Sequence, residues 1–274
     1  MKSILDFPKA RKAGRKVSMV TCYDYTSARI VADTNIDCIL VGDSLAMTMH
    51  GDDTTLTATP DLMALHIAAV RKGAPEKFLI GDLPFLAHRG SMDQTLAAVR
   101  TVMKAGAQAV KIEGIDGSEE TIRHLVQSGV PVMGHLGMTP QSVHQFGGFR
   151  LQATSPEAQE ILLDQAKRLE ACGVFAIVLE CVPTSVARYV TEQLEVPTIG
   201  IGAGPDCSGQ VLVFQDMLGL NEDFKPRFVR KFLEGAQLIK SALNQYDGAV
   251  KDQTFPSIAE SYEIPGAKHT EVTQ

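Results

Sequence analysis

Residues 106–120 read Gly-Ala-Gln-Ala-Val-Lys-Ile-Glu-Gly-Ile-Asp-Gly-Ser-Glu-Glu. A glycine leads into the apolar run Ala109–Gly114, which ends on an ionisable residue and a second glycine. A polar turn follows. Ser118-Glu119-Glu120 then opens a helix, with a capping serine and acids in the first turn. The same period recurs at Ser18–Asp24, Cys38–Asp43, Lys77–Pro84, Val130–Gly137, Phe175–Val182, Val196–Gly204 and Gln210–Asp216. Continuous apolarity suits parallel strands buried on both faces.

The intervening segments read as helices. Ser155-Pro156-Glu157 supplies a cap, a first-turn proline and an acid. Behind it Ala158, Ile161, Leu162, Ala166 and Leu169 recur at helical spacing. Gly73, Gly106, Gly129 and Gly173 stand between helix and strand, where a left-handed residue often ends a helix. Alternating strands and helices imply a parallel α/β sheet, and eight strands imply closure into a (β/α)8 TIM barrel. A doubly wound open sheet is the runner-up. Gly200-Ile201-Gly202-Ala203-Gly204 superficially resembles a dinucleotide fingerprint, but it lacks the GxGxxG spacing and an acidic partner.

Three segments stand outside the repeat. Residues 3–14 suggest a short leading helix. Residues 44–59 suggest a long loop without structure of its own, a feature more often functional than idle. From about residue 248 the chain is polar and aperiodic. The expected organisation is one catalytic domain over 1–250 and a weakly ordered tail over 251–274.

The length of 274 residues is ordinary for one such barrel. A net charge of -6 argues against general nucleic-acid binding, which needs a basic face. Five irregularly spaced cysteines without a CxxC pair argue against a disulfide framework or zinc site and suit a reducing, cytoplasmic setting. No apolar run is long enough to suggest a membrane span or signal peptide.

Barrel enzymes carry their chemistry at the carboxyl ends of the strands. Those ends deliver Asp43-Ser44, Asp82, Lys111 with Glu113, His135 and Glu180. Three acids on adjacent strands, Asp43, Asp82 and Glu113, would repel one another in a partly dry site. A divalent cation removes that penalty, and oxygen ligands favour Mg²⁺. Protonated or lysine-paired acids are the alternative. Lys111 and Glu113 are two apart and share a face. Lys111 therefore reads as a charge partner, or as a Schiff-base amine. His135 could donate to a substrate oxygen. Glu180 ends the apolar run Phe175–Leu179, where desolvation should raise its pKa toward that of a general base. His50, His144 and Tyr25 are candidates for the mouth. His66, His88, His124 and His269 read as ordinary helix or surface residues.

Several stretches together resemble the ketopantoate hydroxymethyltransferase family. They are Thr21-Cys22-Tyr23-Asp24-Tyr25, Val41-Gly42-Asp43-Ser44-Leu45 with Met47-Thr48, residues 66–75, Gly81-Asp82-Leu83-Pro84-Phe85 and Val110-Lys111-Ile112-Glu113-Gly114. Further along come Gly134-His135-Leu136-Gly137-Met138-Thr139-Pro140-Gln141, Leu179-Glu180-Cys181-Val182-Pro183 and Ile199-Gly200-Ile201-Gly202-Ala203-Gly204. The resemblance implies a (β/α)8 barrel assembled as a homodecamer. It implies hydroxymethyl transfer from 5,10-methylenetetrahydrofolate to 3-methyl-2-oxobutanoate, giving 2-dehydropantoate in pantothenate biosynthesis. It implies Mg²⁺ among Asp43, Asp82 and Glu113, some contacts running through water. Ser44, Asp82, Lys111 and His135 would contact the oxo acid, and Glu180 would be the base. Residues 44–59 and Gly147-Gly148-Phe149 are candidates for the folate by position. Gly114-Ile115-Asp116 lacks a second glycine usual in the family, and Met138 stands where leucine is commoner. A magnesium-dependent lyase or mutase of the isocitrate lyase and phosphoenolpyruvate mutase group, which uses no folate, is the alternative enzyme. A non-catalytic binding barrel is a third reading.

Overall fold

The eight apolar runs become eight short strands in a computed structural model that describes residues 1–223 and 225–262. They are β1 Val17–Thr21, β2 Cys38–Val41, β3 Phe78–Asp82, β4 Ala109–Glu113, β5 Val132–Gly137, β6 Ala176–Glu180, β7 Thr198–Ile201 and β8 Gly209–Leu212. Each pairs in parallel with the next, and β8 pairs with β1, so the sheet closes into a barrel. Closure removes both sheet edges and excludes the open-sheet alternative. The glycines after β7 lead to β8 rather than into a helix, which disposes of the dinucleotide reading.

Side-chain alternation builds the interior in layers. Met19, Leu40, Ile80, Met133, Val178 and Ile199 belong to one buried cluster inside the barrel. The leading helix, Asp6–Lys12, plugs its amino-terminal end. Phe7 is fully buried there, edge-on to Phe78 and Phe175 at centroid distances of 5.8 and 5.0 Å. Two residues further along the same strand faces, apolar side chains give way to Asp82, Lys111, His135 and Glu180. The register sets Asp82 opposite Lys111, Glu113 opposite His135 and Gly137 opposite Glu180. The polar site is thus the top layer of a barrel whose lower layers are apolar.

A second cluster packs the outer helices on the sheet. Helix Pro156–Cys172 begins as expected, with the Ser155 side chain accepting from the Ala158 amide, and ends on left-handed Gly173 at φ 90°. Several expectations need correction. Ser118 precedes its helix but does not cap it; its hydroxyl donates to the Ile115 carbonyl. Gly73 is the last residue of helix Pro60–Gly73 and is needed for packing, since a methyl there would lie 2.5 Å from the Tyr25 carbonyl oxygen. Residues 44–59 are not structureless: they hold helix Leu45–His50 and the 3-10 turn Thr55–Thr57. The last run makes only a four-residue strand, and Asp216 falls on the helical turn Phe214–Met217. The polar stretch read from about residue 248 begins inside helix Gly235–Lys251, and the 3-10 turn Ile258–Glu260 follows. Residues 263–274, with His269, lie outside the described residues.

Candidate active site

Asp43, Asp82, Lys111, Glu113 and His135 are all buried at the carboxyl end of the barrel. Lys111 Nζ lies 3.1 Å from Asp82 Oδ1 and 3.5 Å from Glu113 Oε1. His135 Nδ1 lies 3.3 Å from Glu113 Oε1 and 3.2 Å from Lys111 Nζ. Its Nε2 lies 3.2 Å from Glu180 Oε2. The Asp43 amide donates to Asp82 Oδ2 at 3.0 Å. The seven strand-end residues read from sequence therefore meet: six are joined by direct contacts, and Ser44 follows Asp43 at the edge of the same site. Glu180 is less enclosed than its apolar run suggests, with a side chain 17% exposed against 3% for Glu113.

Burial acts against every charge here, and neighbours decide the outcome. For Lys111 burial is outweighed by Asp82, Glu113 and Asp43, so the ammonium is held above the ordinary lysine value. A buried ammonium held between two carboxylates is a poor nucleophile, so the geometry favours charge pairing over Schiff-base chemistry. Burial likewise opposes ionisation of Glu113, but Lys111 and His135 prevail and push it down to about 2. Burial and Lys111 oppose protonation of His135, yet Glu113 and Glu180 carry it up to about 9. Asp43 is the group left short of positive charge. Burial, then Glu113 and Asp82, hold its carboxyl well above the usual range.

Sequence reading missed three polar side chains. Gln141 donates its side-chain amide to Asp43 Oδ2 at 2.8 Å and to the Leu83 carbonyl at 2.9 Å, while its backbone N–H donates to Glu113 Oε2 at 2.9 Å. It sits in the 3-10 turn Pro140–Ser142, beyond the end of β5, where a reading of strand ends stops short. Tyr23, fully buried, shares a hydrogen bond of 2.8 Å with Ser44 Oγ. His88, expected near the surface, is buried, and burial pushes it down to about 4. Of the other histidines, His50 and His66 face each other across 3.0 Å on the exterior. His144 and His88 line a cavity of about 560 Å³ that reaches Glu113 and Gln141. Tyr25 opens the helix Tyr25–Ala32 and lines neither cavity described here.

Glu180 and Ser44 share a larger cavity of about 870 Å³. Met47, Thr48, Asp52 and Thr55 from the 44–59 segment border it, as does Phe149. Among the described residues, no three His, Cys, Asp or Glu side chains stand as a ready-made metal cage. Lys111 pairs with Asp82 and Glu113, while Gln141 holds Asp43.

A buried acid–lysine–histidine cluster opening on a roomy cavity could serve several barrel enzymes, so comparison with known proteins decides the family. The model of the ketopantoate hydroxymethyltransferase family matches residues 2–258. The chain belongs to this family. It is similar to the 3-methyl-2-oxobutanoate hydroxymethyltransferase of Bdellovibrio bacteriovorus, 57% identical over 262 residues that span 96% of this chain and all of that one. Membership at this level makes the chain an enzyme of the transferase class. Among solved structures, phosphonopyruvate hydrolase in complex with oxalate and Mg²⁺ superposes with a TM-score of 0.62 at 12% identity, over 95% of this chain and 93% of that one. The 2,3-dimethylmalate lyase, a member of the PEP mutase/isocitrate lyase superfamily, gives 0.58 at 17% identity over 93% and 99%. At such identities these two establish the barrel alone.

Proposed function

We propose that the chain transfers a hydroxymethyl group from 5,10-methylenetetrahydrofolate to 3-methyl-2-oxobutanoate, giving 2-dehydropantoate in pantothenate biosynthesis, with Mg²⁺ as its metal. The observation that carries this reading is the placement of Glu180. It lies on the wall of the large cavity and reaches the imidazole that also touches Glu113.

The residues fit a divalent ion. Acids outnumber bases in the cluster, and Asp43 in particular lacks a cation. Asp82 Oδ1 and Glu113 Oε1 are buried without a well-formed hydrogen bond. Mg²⁺ keeps several waters and needs only one or two carboxylates with substrate oxygens, so it does not require a closed protein cage. Asp43 and Asp82 would hold it, with Glu113 supporting through water. Bound there, Mg²⁺ supplies positive charge that acidifies the hydrogen next to the ketone.

The protein's own groups do the rest. Lys111 and His135 offset the charge of the bound oxo acid, and Ser44, steadied by Tyr23, supplies a hydroxyl at its edge. The Glu180 carboxylate removes the C3 proton. The resulting enolate carbon bonds to the one-carbon unit, and water supplies the hydroxyl oxygen as tetrahydrofolate leaves. A cavity of about 870 Å³ leaves room for the folate beside the small oxo acid.

Five free cysteines are compatible with a cytoplasmic setting. No helix among the described residues is long and apolar enough to cross a membrane. Helix Gly235–Lys251 exposes Leu238, Ile239, Leu243 and Tyr246. Such a face suits burial against further copies of the chain, in line with a homodecamer; sedimentation at micromolar concentration checks that assembly.

The test is turnover with the oxo acid, folate labelled in its one-carbon unit and Mg²⁺, each omitted in turn. Label should appear in the hydroxy oxo acid only when all are present. Consumption of the oxo acid without label transfer would favour the folate-free lyase or mutase instead.

A further inference from the structure

Asp216 is a buried acid that the reaction above does not use. It lies on the turn Phe214–Met217 directly after β8, at the same end of the barrel as the catalytic cluster. It lines the Glu180 cavity and is only 5% exposed. The one hydrogen bond of its side chain among the described residues is a long one, 3.4 Å from the Asn221 side-chain amide to Oδ1. Burial raises its pKa, as expected for a carboxylate short of donors.

The surroundings of Asp216 are graded in polarity. Val182 is buried in the wall of the same cavity, and Phe228 is half-buried against the end of β7. A methyl on Gly202 would sit 3.1 Å from the Phe228 ring, so the glycine lets that ring lie down on the strand end. Phe149 borders the same cavity yet is 56% exposed, an apolar surface with nothing over it. Arg150 and Arg227 also line the cavity and are exposed. Neither makes an ion pair among the described residues. In order of exposure the lining runs from the buried acid and Val182, through half-buried Phe228, to exposed Phe149 and two guanidinium groups.

A reduced folate has the complementary order. Its pterin ring carries an N–H and an amino group side by side, two donors spaced like those of a guanidinium, which pair with both oxygens of a carboxylate. Its middle is an aromatic ring, and its far end is anionic. We infer that Asp216 receives the donor edge of the pterin and that Arg150 and Arg227 hold the anionic tail at the cavity mouth. This rests on the folate reading above and adds to it an orientation and three residues.

Calorimetry tests it, with two probes: tetrahydrofolate, and a tetrahydropterin lacking the aminobenzoyl-glutamate tail. Asp216→Asn keeps the size but presents an amide donor to the pterin's own donors. It should weaken both probes at least tenfold, while Mg²⁺-dependent binding of the oxo acid changes less than twofold. The double variant Arg150→Ala, Arg227→Ala, on the surface and safe for folding, should weaken tetrahydrofolate at least fivefold and leave the tail-less pterin unchanged. Unaltered binding of both probes to Asp216→Asn, or equal loss of both in the arginine variant, would overturn the assignment while leaving folate use intact. A wild-type protein that binds the oxo acid but neither pteridine would overturn the folate reading itself, and this assignment with it.

Discussion

Glu180 Oε2 lies 3.2 Å from His135 Nε2, and the main chain of β5 is shaped to allow it. Gly137, opposite Glu180 in the register, adopts φ 91°, and the Met138 amide donates to the Glu180 carbonyl at 2.8 Å. A methyl on Gly137 would fall 2.2 Å from that carbonyl oxygen. Cys181, next along, is itself left-handed at φ 47° without being glycine. Backbone of this kind persists where the surroundings enforce it, and here it aims the carboxylate into the cavity.

Gly137→Ala should therefore cost about 3 kcal/mol of stability, from the left-handed backbone and the contact together. Urea unfolding measures it. A loss below about 1 kcal/mol would mean that β5 and β6 can part without penalty.

Asp82→Ala removes the acceptor of the Asp43 amide and the partner of Lys111. Mg²⁺-dependent binding of the oxo acid should disappear in calorimetry. Undiminished metal affinity in that variant would place the ion elsewhere.

Gln141→Leu should reduce Mg²⁺ affinity by roughly tenfold to a hundredfold, the usual effect of losing a group that orients a metal ligand. The side chain touches Asp43 and the Leu83 carbonyl, so its loss frees the acid least supplied with donors. An unchanged affinity would confine Gln141 to holding its own turn.

Binding of Mg²⁺ should release protons and tighten as pH rises. Burial, with Glu113 and Asp82, raises the Asp43 pKa, so its proton competes with the ion below that value and stops competing above it. Glu113, held at about 2, contributes no such slope near neutrality. Calorimetry in buffers of different ionisation enthalpy reads the released protons. Affinity that falls with rising pH would contradict the sign.

The barrel was legible because glycine-bounded apolar runs and helical spacing repeat eight times, and closure follows from the count. The strand-end residues were legible because period-two alternation sends Lys111 and Glu113 to one face and the register brings Asp82 and His135 alongside. Gln141 was not, since it belongs to a turn whose direction depends on tertiary packing. Asp216 reads as a strand end because the apolar run does not show where β8 stops. Residues 44–59 read as a structureless loop because the helix Leu45–His50 is too short to display a period. The sharing of Lys111 between two acids could not be read at all, because side-chain distances are not a property of spacing.

Exchange of the C3 hydrogen of 3-methyl-2-oxobutanoate in deuterated water, followed with wild type and Glu180→Gln in the presence of Mg²⁺, addresses the chemistry most directly. Wild type should incorporate deuterium without any folate. The variant should incorporate none, yet bind the oxo acid within about tenfold, or ~1.4 kcal/mol. Exchange in Glu180→Gln at the wild-type rate would remove Glu180 as the base.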